Sequence, residues 1–131
     1  MNAQEFREQW LAKIAEGDRQ LEHRRVRDAI ANYSQVAQLL RQVLEAQEPV
    51  RPGGPTQVPL HFRRMLCSDD LTVVLFRLAE AFELDGQEQS ARDALEEIIV
   101  LLERVILTAG GETRDRYAGM VADARRRLDD L

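Results

Sequence analysis

The chain has 131 residues, of which 44% are hydrophobic and 31% charged, with a formal net charge of −5. This length is enough for one domain with its own core, and the composition is too apolar for a disordered chain and too charged for a membrane protein. No apolar run reaches the roughly 20 residues that cross a bilayer, and the negative balance weighs against nucleic acid as a partner.

The elements read as helices from the start. Phe6, Trp10, Ile14 and Leu21 fall on one side of a helix over 3–22. Val26, Ile30, Tyr33, Val36, Ala37, Leu40, Val43 and Leu44 repeat the same period over 26–46. The composition then changes. The stretch 47–60 contains all four prolines, Pro49, Pro52, Pro55 and Pro59, and reads as a Pro/Gly-rich loop. "LHFRRML" reads as one short helical turn or two, started by Pro59. "SDD" at 68–70 reads as a new helix start, with Ser68 as cap and two acids favoured by the helix dipole. That helix is expected to stop at Gly86, the next to run from Gln87 to Thr108, and a last one to cover 113–129. The expected fold is a single all-α domain over 1–131, with no strand.

Small and large residues recur at fixed offsets. Gly17, Ala29, Tyr33 and Val36 are matched by Ala79, Ala91, Leu95 and Ile98, each 62 residues later. A small residue on each of two antiparallel helices lets their backbones approach, and a large one fills the space beside the crossing. With Leu78, Phe82 and Gly86, the second block resembles the tetratricopeptide repeat, whose unit of about 34 residues is a helical hairpin. The first block is similar in its second half only. Gln20 stands where that family has an aromatic, and Arg24 where it has the turn glycine. The 62-residue offset exceeds one repeat length, so a helical bundle with repeat-like hairpins is weighed beside a regular superhelix. The resemblance implies two hairpins plus a C-terminal capping helix, acting as a protein-binding adaptor or small chaperone. It places a partner segment against the first helix of each hairpin, at Ile14, Asp18, Leu21 and Glu22 and at Phe76, Arg77, Glu80 and Glu83. Members that clamp an acidic C-terminal tail use Lys, Asn and Arg. Asp18 and Glu80 depart from that set and point instead to a segment with apolar anchors and a basic residue. The plainer reading of Ile14, Leu21 and Phe76 is ordinary core.

The stretch "ALEEIIVLLERVIL" is apolar on more than one side, so more than one neighbour must cover it. Ala91, Ala94, Leu95, Ile98, Leu102 and Val105 suit the preceding helix, while Ile99, Leu101 and Ile106 lie off that stripe. The final helix is one candidate cover. A second copy of the chain is the other, which makes a structural homo-oligomer, a homodimer at its simplest, the alternative function.

No catalytic constellation is visible, and the expected answer is neither an enzyme nor a cofactor protein. His23 and His61 have no ligand-spaced neighbours, so no metal site is expected. "RPGGPTQ" lacks the lysine of a phosphate loop. Cys67, the only cysteine, excludes an intramolecular disulfide and reads as a small, partly buried residue at a helix start. The arginine clusters 24–27, 63–64 and 125–127 are interleaved with acids and read as solvated faces. "MNAQEFREQW" has no basic start followed by an apolar run, which with the lone thiol suggests a reducing, cytoplasmic setting.

Overall fold

A computed structural model describes residues 3–45 and 60–131. Among the described residues there are five helices and no strand. They are α1 (Ala3–Glu22), α2 (Val26–Glu45), α3 (Leu60–Leu84), α4 (Glu88–Ile106) and α5 (Gly111–Asp130). The Pro/Gly-rich stretch 47–60 lies outside the described residues except for Leu60, which heads α3. The chain clusters into two compact units, Met1–Val74 and Leu75–Leu131, with the division inside α3.

In the first unit α1 and α2 pack as a hairpin. Phe6, Trp10 and Ile14 from α1 are buried, as are Ala29, Tyr33, Val36, Ala37 and Leu40 from α2. Phe6 meets Trp10 edge to face, with ring centroids 5.0 Å apart. The role of Gly17 is steric. A Cβ there would come within 2.6 Å of Cε1 of Tyr33, so only a glycine lets that ring lie against α1. Gly in a helix interior costs about 1 kcal/mol relative to Ala; here the buried tyrosine offsets it. The polar edge of the hairpin is stitched in antiparallel order. Lys13 Nζ donates to Gln35 Oε1 at 2.9 Å, the Tyr33 hydroxyl donates to Asp18, and Asn32 Nδ2 donates to Gln20 Oε1 at 2.7 Å.

Two sequence expectations are corrected in α3. Ser68 does not cap a helix. It lies eight residues inside one and is 4% exposed, and its carbonyl accepts the Thr72 hydroxyl at 2.7 Å. The segment "LHFRRML" is therefore continuous helix. After Pro59 it contains good helix formers and no glycine or proline, so nothing interrupts propagation into Ser68. Asp70 is likewise no first-turn acid. It is 5% exposed and accepts Arg7 Nε at 2.9 Å, Arg7 Nη2 at 2.6 Å and Trp10 Nε1 at 2.7 Å. The hydrogen bond to Asp70 is the main reason the Arg7 pKa is raised above the ordinary guanidinium value, against the opposing pull of burial. A raised cation pKa contributes stability at every pH below the usual guanidinium range, lost only in strong alkali. Cys67 is fully buried within the same helix.

In the second unit α4 and α5 pack along one another. Ala91, Ala94, Leu95, Ile98 and Leu102 of α4 are buried, as are Tyr117, Val121 and Ala124 of α5. Arg92, near the start of α4, donates to the carbonyl of Leu131 at the far end of α5, and Arg125 pairs with Glu103. These contacts set the two helices antiparallel. Helix α4 ends at Ile106, two residues before the expected Thr108. The Thr108 hydroxyl bonds back to the Val105 carbonyl at 3.2 Å.

The turns α1–α2 and α3–α4 have the same hydrogen bonds, 62 residues apart. Arg25 N–H reaches the Gln20 carbonyl at 2.8 Å, and Gln87 N–H the Phe82 carbonyl at 2.8 Å. Arg24 N–H reaches Leu21 at 3.1 Å, and Gly86 N–H reaches Glu83 at 3.1 Å. Each is a Schellman ending, with a left-handed residue one past the cap. That residue is Gly86 (φ 74°) in the second turn but Arg24 (φ 61°) in the first. Past the turn, the N–H groups of Ala29 and Ala91 each bond four residues back, to Arg25 and Gln87.

Candidate partner-binding surfaces

The residues singled out on α1 divide by depth. Ile14 is packed in the core, which leaves little of it for a ligand. Asp18 is half-buried and already accepts the Tyr33 hydroxyl, so it holds the hairpin together. Leu21 is half-buried and Glu22 exposed. Of these four residues, Leu21 and Glu22 in the last turn are the ones left open to a partner.

The residues on α3 leave more to the outside. Phe76, Glu80 and Glu83 follow helical spacing, and both glutamates are exposed. Phe76 and Arg77 are half-buried. The Phe76 ring is not bare. The guanidinium of Arg127, from α5, lies 5.0 Å from its centroid, within reach of a cation–π interaction. The result is a row of one aromatic face and two carboxylates, which suits a cationic, partly apolar segment. The first set lies in one unit and the second in the other.

Two further surfaces were not identified from the sequence. Helices α4 and α5 leave an open cleft of about 550 Å³ between them, floored by Ile106, Ala118, Val121 and Ala122 and rimmed by Glu103, Arg125, Arg126 and Asp129. No pattern in the sequence pairs 103–106 with 118–129; only the packing does. The outward face of α4 carries Val100 at 52% and Leu107 at 84% exposure. Here a signal was present. Val100 has Glu96, Glu103 and Arg104 at positions −4, +3 and +4, the surroundings of an outward residue. The off-stripe residues Ile99, Leu101 and Ile106 are half-buried, so they are not the exposed part of this helix.

Among the described residues, no three His, Cys, Asp or Glu side chains gather as a metal site requires. None of the described helices is long and apolar enough to cross a membrane. No protein-family model, curated protein or solved structure matches the chain.

Proposed function

We infer that this chain is a protein-binding adaptor or small chaperone of the tetratricopeptide-repeat kind, built to hold a segment of another protein in a reducing, cytoplasmic setting. One observation carries the reading. The two hairpin turns repeat the same Schellman geometry 62 residues apart, each leading into a buried alanine at the fourth residue past the turn. Recurrent helical hairpins are what helical-repeat scaffolds are built from, and the resemblance implies a binding surface on the first helix of each hairpin.

The surface assigned to the partner is the α3 row of Phe76, Glu80 and Glu83. The recognised segment has a basic residue for the carboxylates and an apolar or guanidinium group for the ring. Arg127 over Phe76 is an internal example of that last contact. Fluorescence polarisation with labelled peptides that alternate Arg and Leu tests this. Binding weakens about tenfold in Glu80→Arg, through charge reversal, and falls with added salt. Peptides that bind the wild type and Glu80→Arg equally, or bind neither, argue against the assignment.

A further inference from the structure

We propose that the outward face of α4 is a self-association surface, which pairs antiparallel with the same face of a second copy of the chain about a two-fold axis through Val100. The face consists of Asp93, Glu96, Val100, Arg104 and Leu107, all exposed. Glu96 and Arg104 stand four residues to either side of Val100, about 6 Å along the axis in each direction at 1.5 Å per residue. Neither makes an ion pair with another described residue. An antiparallel copy centred on Val100 sets Val100 against Val100. It brings Glu96 opposite Arg104 of the second copy, and Arg104 opposite its Glu96. A parallel copy would set Glu96 on Glu96 and Arg104 on Arg104, which repel. The charge pattern therefore selects both the orientation and the register, as an isologous interface requires.

The flanks are compatible with this pairing. Glu103 is engaged by Arg125 of its own chain, and Glu97 is half-buried with a partner inside the molecule. Asp93 accepts Gln89 Nε2 at 3.0 Å within its own helix, and Leu107 of one copy comes to lie opposite the second turn of α4 in the other. The apolar content is one valine and one leucine per chain, so the complex is a weak, reversible dimer rather than an obligate one. This surface is separate from the α3 row assigned to a partner segment, so the two readings stand or fall separately.

Sedimentation velocity from about 10 µM to about 1 mM chain covers the range where weak interfaces dissociate. The wild type should show a monomer–dimer equilibrium that shifts to monomer as salt is raised. Glu96→Arg alone and Arg104→Glu alone should each raise the dimer Kd about tenfold or more, because each puts like charges together twice in a two-fold contact. The double variant Glu96→Arg/Arg104→Glu should return to within about twofold of the wild type, since the swap restores both pairs. All three variants alter exposed side chains and should melt like the parent. A wild type that stays monomeric throughout overturns the proposal. So does a dimer unmoved by either single reversal, or one that the double swap fails to restore.

Discussion

Among the described residues, Arg24 is the non-glycine residue with a left-handed backbone. Its left-handed φ of 61° closes the first turn in the way Gly86 closes the second. A non-glycine residue in that region costs roughly 1–2 kcal/mol. Arg24→Gly should therefore stabilise the chain by about 1 kcal/mol and raise Tm by about 4 °C. Gly86→Ala should lower it by a similar amount, and a melting curve for each decides the matter. An Arg24→Gly variant that melts below the parent would mean the arginine side chain contributes more than its backbone costs.

Asp70 offers a second test at the level of single residues. It is held by Nε and Nη2 of Arg7 and by the Trp10 indole. Arg7→Ala leaves a buried carboxylate with one partner and should cost about 1–2 kcal/mol; the figure is moderated because the Arg7 side chain is 36% exposed. Arg7→Lys should recover only part of the loss, since an ammonium cannot reproduce the two-pronged contact. Chemical denaturation of the three proteins reads this directly. Full recovery by lysine would show that charge alone, not the fork, holds Asp70.

At the scale of elements the alanines matter most. Ala29 and Ala91 are fully buried, each on the second helix of its hairpin. Replacing either with leucine forces extra methylenes into a filled space and should cost about 1–3 kcal/mol. Gly17→Ala belongs to the same class. Its new Cβ would sit 2.6 Å from the Tyr33 ring, so the ring must move or α1 must shift away from α2. Substitutions at exposed positions of the same helices, such as Glu22→Gln, should leave the melt unchanged. Equal melting of Ala91→Leu and the parent would show that Ala91 does not stand at a tight crossing.

At the scale of the whole molecule the question is what covers α4. Helix α5 lies along it, with Tyr117, Val121 and Ala124 buried. Removing residues 112–131 should expose the half-buried Ile99 and Ile106, increase binding of an apolar dye and promote aggregation. Loss of Arg127 alone is a milder change. Arg127→Ala frees the ring of Phe76, and a basic peptide that uses that ring should then bind more tightly. Unchanged or weaker binding would show that Arg127 helps to form the α3 surface rather than compete for it.

Helical periodicity was enough to indicate five helices and, among the described residues, no strand, because α1, α2, α4 and α5 each bury a stripe at a spacing of three to four residues. The 62-residue offset of small and large residues led to the two equivalent turns, since close helix approach demands a small residue at the crossing. The start of α3 at Leu60 differs from the expected start at Ser68. Ser68 and two acids carry the same local signal whether they cap a helix or lie within one, and only the burial of Asp70 beside Arg7 and Trp10 separates the cases. Contacts such as Arg7 with Asp70, or Arg127 with Phe76, join residues 63 and 51 positions apart. No local period encodes them; they exist because packing brings distant helices to one place. For the same reason the sequence left Ile14 open between a binding residue and ordinary core, and the tertiary structure places it in the core. An apolar side chain has one helical position, but whether that position faces a partner or its own fold depends on what packs there.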